Sequence, residues 1–291
     1  FNDFNQFLLS VKNYNINIII FLHSTSDPIT NTNKKLCQLL SSLKTCDRIL
    51  VHNIDDLNRL KEIGLIDNVS IFPHGILDFE SKPSDMLLAN KKFSKNSIFE
   101  ISSYGFCLPN KGYSELVKAV KILREREYQI KLNIFSSIYS DDYYWVYEEL
   151  LSLVRDLGLQ DYISINNNYL SDNEILMSLS HSDLILIPYQ SSMESSSASV
   201  RHAIATFKPV LVTPLPLFDD VKDMVEFTKG FSPEDLAESI INFLSNTQEN
   251  INSVWNDSTR IKKIKDRSYS NVAYRLYCII KGLENNKNFN L

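Results

Sequence analysis

Short apolar, β-branched runs alternate with stretches of helical period along most of the chain. Residues 17–22 (NIIIFL), 48–52 (RILVH) and 69–72 (VSIF) are too short for helices and too continuously apolar for strands with one wet face. They predict strands buried on both sides. Between them, 34–43 and 55–63 have helical spacing, with Asp55 the expected N-cap of the second helix and Gly64 its stop. Residues 78–97 are polar, contain Pro83 and keep no period, which predicts a linker with one short helix. The alternation then resumes. Strands are expected at 97–103, 129–135, 163–166, 183–187 and 209–213, and helices at 113–125, 143–157, 172–179, 199–206 and 268–283.

Strand-helix-strand order with near-continuous apolar strands predicts an α/β chain of two Rossmann-like, doubly wound parallel-sheet domains. The expected division is a first domain over 1–80, a linker over 81–96, a second domain over 97–245 and closing helices over 246–291 that pack back toward the first. Three strands in the first segment are about half of a doubly wound domain, so that domain is expected to be incomplete. The chain opens FNDFNQFLL, without Met or a signal-peptide pattern, which reads as a fragment.

Composition narrows the function. With 44 % hydrophobic and 22 % charged residues in 291, the chain is an ordinary globular one. A net charge of −5 argues against a nucleic-acid partner. Cys37, Cys46, Cys107 and Cys278 lack zinc or redox spacing, so no metal site and a reducing, cytoplasmic setting are expected. Neither a GxSxG elbow nor an HExxH motif occurs. The run DDYYWVYEELL reads as an amphipathic helix.

Ligands of parallel sheets bind beyond the carboxyl ends of the strands, so the strand-to-helix loops are the places to search. Six of the nine residues from Ser191 to Ser199 are serine, with Glu194 among them. Small hydroxyls before a helix suit a phosphate, because a helix N-terminus exposes unpaired N–H groups and roughly half a positive charge. Glu194 would repel a phosphate and fits sugar hydroxyls instead. The same residues also fit a solvated loop in which Ser199 caps the helix. A second loop, Ser103 to Ala119, holds two of the seven glycines, Gly105 and Gly112, with Lys111 beside the latter. A lysine there is a point charge for a diphosphate, or a surface lysine next to a turn.

Taken together, "GFCLPNKGYSELVKA" and "PYQSSMESSSASVRHAIATFKPVLVT" resemble the C-terminal half of the family 4 retaining glycosyltransferases of the GT-B fold. "TCDRILVHNIDDLNRLKEIGLIDNVSIFPHGI" is similar to the segment joining that family's halves, and "FSPEDLAESIINFLSN" and "SYSNVAYRLYCII" to its closing helices. The likeness extends over about residues 16–283. It implies transfer of a hexose from a nucleotide-diphosphate sugar to a glycan or lipid-linked glycan acceptor, without a cofactor. Variants like this one occur in bacterial polysaccharide clusters, often as mannosyltransferases, which makes GDP-mannose the first donor to test.

The resemblance also implies roles. The first Glu of the family's E-x7-E pattern, which contacts the donor sugar, falls on Glu194, and the amides of Ser195, Ser196 and Ser197 then line sugar and phosphate. The second Glu, which holds the ribose diol, falls on His202. Of the family's Arg and Lys on the diphosphate, Lys111 matches, while Phe106 stands where the Arg would be. Arg201 becomes the candidate for that missing charge. Tyr169 and Leu170 border the nucleobase, with Tyr169 either stacking on it or simply an exposed aromatic. His23 matches a histidine beside the reacting sugar; it is alternatively a strand-end residue bound by backbone. His74 and Gly75 correspond to the hinge at the cleft, and His52 and His181 to local structural roles.

Two other readings stay open: a nucleotide-sugar-binding module of a larger glycan polymerase, and a GT-B-like epimerase, for which the extra acid and base are not found. Lys262, Lys263, Lys265 and Arg267 form a basic patch, either a solvated helix face or a peripheral contact with the inner membrane face.

Overall fold

The computed structural model describes residues 2–27, 35–79, 97–250, 255 and 258–288. The linker expected over 81–96 lies outside the described residues. The chain divides into two compact units. One contains Phe1–Gly75, Met193–Ser196 and Tyr269–Leu291; the other contains Ile76–Ser192 and Ser197–Ser268.

In the smaller unit, β1 (Ile19–Leu22), β2 (Arg48–Val51) and β3 (Val69–Ile71) form a parallel sheet in that order, with Leu50 opposite Phe21 and Ser70. Alternation along β2 explains why its sequence reads as unbroken apolar. Ile49 and Val51 pack with Leu8, Leu43, Leu60 and Leu65, which come from α1 (Asn2–Lys12), α2 (Leu40–Leu43), α3 (Ile54–Glu62) and the turn after it. Leu50 points to the other face, against Phe72 and Val272 of α10 (Tyr269–Asn288). Each such side chain contributes about 1.5–3 kcal/mol on burial. The buried stripe of α10 is narrower than its sequence suggests: Val272, Leu276 and Ile279 pack, whereas Tyr277 and Ile280 are exposed.

Two helix starts differ from expectation. Asn53, not Asp55, caps α3; its side-chain oxygen accepts from the Asp56 amide at 2.8 Å. The expected helix over 34–43 is a 3-10 turn, Leu36–Leu39, followed by the short α2. Helix α1 was not foreseen; Leu8 and Val11 pack its inner side into the core.

The larger unit has a six-stranded, wholly parallel sheet in the order β6-β5-β4-β7-β8-β9. Its strands are β4 (Phe99–Tyr104), β5 (Ile130–Phe135), β6 (Ile163–Asn166), β7 (Leu184–Ile187), β8 (Val210–Val212) and β9 (Glu226–Phe227). Strand β7 is central. Leu184 and Leu186 face a core built on α4 (Tyr113–Glu125), α5 (Tyr144–Asp156) and α8 (Pro233–Asn250). Ile185 and Ile187 face a second core with α6 (Asp172–Ser180), α7 (Ala198–Ala205) and α9 (Ser258–Asp266).

The closing helices part company: α9 belongs to the larger unit and α10 to the smaller. Arg260 supplies the reason for α9. Its buried guanidinium donates to the carbonyls of Met224, Phe207, Trp255 and Lys208 at 3.0–3.2 Å. Burial, only partly offset by Glu226, lowers its pKa to about 10. The basic patch on α9 is also less free than expected, since Lys263 pairs with Asp223 at 2.9 Å and Arg267 with Asp220 at 3.3 Å. Among the described residues, no helix is long and apolar enough to cross a membrane.

Candidate functional site

The strand order of the larger unit places its switch point between β4 and β7, because β4 continues to β5 on one side and β7 to β8 on the other. Side loops diverge there and leave a crevice beyond the carboxyl ends. A cavity of about 150 Å³ lies at these ends. Tyr104, Gly105 and Phe106 line it from β4, Phe135 and Ser137 from β5, and Asn168, Tyr169 and Leu170 from β6. Ala198, Ser199 and His202 of α7 complete it, with Asp172.

Gly105 is required by both its backbone and its surroundings. It has a φ of 151°, and a Cβ there would stand 3.1–3.2 Å from the hydroxyls of Tyr113, Tyr189 and Ser199. Three hydroxyls therefore converge where the chain leaves β4. Helix α7 begins at this place. Its N-cap is Ser197, whose side chain accepts from the Val200 amide at 3.3 Å. Ser199 is thus not the cap that one reading gave it; it sits in the first turn, lines the cavity, and accepts from the Tyr189 hydroxyl at 2.9 Å. The first-turn amides and their partial positive charge mark this end as one suited to an anion.

Lys111 is 9 % exposed and its ammonium sits 3.8 Å over the centre of the Tyr189 ring. It does not line the cavity itself, but Tyr189 links it to Ser199. Gly112 holds this loop in place: it has a φ of 73°, and a Cβ would collide with the Pro188 carbonyl at 1.8 Å. No other residue fits there without moving β7's outgoing chain.

Arg201 is a correction. Its guanidinium is 2 % exposed, donates to the Ser197 carbonyl at 2.7 Å and forms an ion pair with Asp220. It braces α7 against the turn after β8 and is absent from the cavity lining. The carboxylate partner spends its charge, so Arg201 does not replace the cation expected at Phe106. Phe106 is half-exposed and lies edge-on to Tyr139, with ring centres 5.3 Å apart; Tyr139 continues to Tyr143 at 6.4 Å. An aromatic strip thus runs along the rim from Phe106. Tyr169, 79 % exposed, joins the same mouth.

His202 and Asp172 form the polar wall. The His202 ring places Nδ1 2.9 Å from the Ala198 carbonyl and Nε2 3.0 Å from the Asp172 carboxylate. Asp172 reads from the sequence as a helix residue only, and its spacing from His202 gives no hint of the contact. Tyr104 packs 5.2 Å from the His202 ring. Burial first, and the Asp172 carboxylate second, push the Tyr104 phenol up to about 12, so it stays a neutral donor.

Glu194, Ser195 and Ser196 belong to the smaller unit. The Ser195 amide donates to the His23 carbonyl at 3.2 Å, the Asn53 side chain donates to the Ser195 carbonyl at 2.9 Å, and the Ser24 hydroxyl to the Met193 carbonyl at 3.2 Å. These bonds bring Glu194 to the end of β1 beside His23. They also correct one expectation, because the Ser195 amide is committed to His23 and not available to a phosphate. His23 itself is not merely a backbone-bound strand end. Its ring lies 4.8 Å from His52 and 5.9 Å from His74. His74 in turn packs edge-on to Tyr269, whose ring occupies the space a side chain at Gly75 would need. The local role expected of His52 is one shared with His23. Both β1 and β2 run out into histidine, in FLH and LVH, and adjacent parallel strands in register put those two rings together. His181, by contrast, sits 2.7 Å from the Met177 carbonyl of the helix it ends. Among the described residues, no group of three or more His, Cys, Asp or Glu is placed to hold a metal ion.

No protein-family model matches the chain, and no curated protein sequence matches it. Solved structures do. A glycosyltransferase from Rickettsia africae ESF-5 aligns with a TM-score of 0.72 at 15 % identity, over 97 % of this chain and 80 % of its own. HepE from Anabaena, solved with UDP and glucose, gives 0.70 at 13 % identity, over 95 % and 74 %. An α,α-trehalose-phosphate synthase (UDP-forming) from Burkholderia xenovorans, solved with glucose-6-phosphate, gives 0.73 at 9 % identity, over 95 % and 70 %. The chain has the α/β fold of the GT-B glycosyltransferases, with parallel sheets flanked by helices. At these identities the likeness is one of fold.

Proposed function

We propose that this chain is a glycosyltransferase that binds a nucleoside-diphosphate sugar at the switch point of its larger unit. It moves the hexose, with retention of configuration, to a growing or lipid-linked glycan. The observation that carries this reading is the cavity over the first turn of α7, where helix amides, the Ser199 hydroxyl and Gly105 meet. A diphosphate fits that end, and Lys111 adds a fixed charge one aromatic ring away. The Asp172 carboxylate, held by His202, accepts from a diol. Phe106, Tyr139 and Tyr169 offer faces for a planar base. The transfer as proposed uses no metal, so the rate should survive chelation. The fold of sugar-nucleotide enzymes such as those compared above supports the substrate class.

The test is a thermal-shift series with GDP, UDP and ADP and their hexose conjugates, GDP-mannose first. A ligand at 100 times its dissociation constant adds about 2.7 kcal/mol to stability. Ser199→Leu, which fills the cavity from a partly exposed position, should erase the shift while leaving the circular dichroism intact. A shift that survives this substitution contradicts the assigned site. Nucleotide release on adding glycan acceptors then separates an enzyme from a binding module, which would bind the donor without turnover.

A further inference from the structure

The imidazoles at the ends of β1 and β2 form a directed chain. His52 is buried, with Nδ1 3.1 Å from the Phe72 carbonyl and Nε2 3.1 Å from His23 Nδ1. A carbonyl oxygen only accepts, so His52 Nδ1 must carry the proton. In the neutral ring Nε2 is then an acceptor, and His23 Nδ1 must donate to it. His23 is left with its proton on Nδ1 and a lone pair on Nε2. Free imidazole in water favours the opposite arrangement, so the buried ring imposes it.

We propose that His52 is a positioning residue that holds His23 as the Nδ1–H tautomer, making His23 Nε2 a hydrogen-bond acceptor for a substrate hydroxyl. The surroundings are built for this. His23 is exposed at the end of β1, and its backbone carbonyl is fixed by the Ser195 amide, which sets the strand end without engaging the ring. His74 packs edge-on to both rings, at 5.1 Å from His52 and 5.9 Å from His23, with Tyr269 behind it. An Nε2 acceptor suits a hydroxyl donor and would be useless toward a phosphate oxygen, which also only accepts. The Glu194 carboxylate borne on the same unit is another acceptor. This unit therefore presents acceptors to hydroxyls, as a sugar requires. The hydroxyl half of the proposal rests on the glycosyl-transfer reading, whereas the tautomer half stands on geometry alone.

The experiment has two readouts. The first is long-range ¹H–¹⁵N correlation on protein labelled at its histidines, of which there are five, recorded at alkaline pH, where imidazole is neutral. His23 should show the Nδ1–H pattern in the wild type and revert to Nε2–H in His52→Leu. His52→Gln, whose carboxamide oxygen can accept in place of Nε2, should retain the Nδ1–H pattern. An Nε2–H pattern for wild-type His23, or no change in the folded leucine variant, overturns the tautomer assignment. The second readout is transfer rate. His52→Leu should lower kcat by about tenfold with the donor KM within about twofold, and His52→Gln should recover most of it. The expected tautomers with an unchanged kcat overturn the hydroxyl half. The expected tautomers with no turnover by the wild type from any donor defeat the glycosyl-transfer reading and leave the tautomer assignment standing.

Discussion

The carboxyl ends of β1 and β2 carry imidazoles, whereas those of β4, β5 and β6 carry glycine, aromatic and hydroxyl groups around a cavity. In the smaller unit each polar group is oriented by a neighbour: Phe72 fixes His52, and His52 fixes His23. In the larger unit backbone and side chains share the polar work: the first turn of α7 and the glycine that ends β4 stand beside the paired His202 and Asp172. With the tautomers proposed above, the first arrangement favours donors over acceptors among neutral groups. The second suits net negative charge and tolerates differences in what carries it. The same topological position, the carboxyl ends of parallel strands, is thus finished by paired rings in one unit and by a glycine-lined crevice in the other.

The largest effect that tests this contrast concerns Arg201. If it is a brace, Arg201→Ala strands the buried Asp220 carboxylate, costing about 3 kcal/mol in urea unfolding. Nucleotide affinity of the folded variant should be retained. Loss of affinity without loss of stability would make it a phosphate ligand after all. Next, Gly112→Ala should cost about 2 kcal/mol, because it combines a φ of 73° with a collision against Pro188. It should also weaken nucleotide binding by displacing Lys111. Lys111→Met should reduce affinity for a nucleoside diphosphate about tenfold and leave that for the bare nucleoside unchanged, seen by calorimetry. Equal losses for both ligands would place the lysine away from the phosphates. In the smaller unit, Asn53→Ala should cost about 1 kcal/mol by uncapping α3, and should loosen Ser195 as well.

A pH titration adds a smaller, signed effect. Burial pushes the Cys46 thiol from 9.0 up to about 11, with Asp47 reinforcing it. The native protein keeps that proton after the unfolded chain has lost it, so stability is full below about pH 9 and declines as pH rises toward 11. Cys46→Ala should flatten that part of the alkaline stability curve.

Strand β7 was legible in the sequence because burial on both faces leaves no polar residue in Leu184 to Ile187 to blur the run. The cavity-forming loops were legible for a related reason: in a chain with seven glycines, Gly105 and Gly112 had to serve the backbone. Arg201 was misread because its partner, Asp220, lies beyond the next strand, and nothing local announces a pair closed across α7 and β8. Asp172 was overlooked in the same way, since His202 reaches it from a different helix. The cap of α3 was misplaced by two residues: Asn53 and Asp55 are both good caps, and only the backbone turn selects between them. His52 was visible as a strand end, but its partner emerges only once β1 and β2 are paired in register.

The most direct test of the account is hydrogen–deuterium exchange with and without a nucleoside diphosphate, UDP and GDP each in excess. Exchange should slow at the end of β4, at Asn168–Asp172 and in the first turn of α7, with these protections lost in Ser199→Leu. Tight binding that leaves all three segments exchanging at their free rates would contradict it.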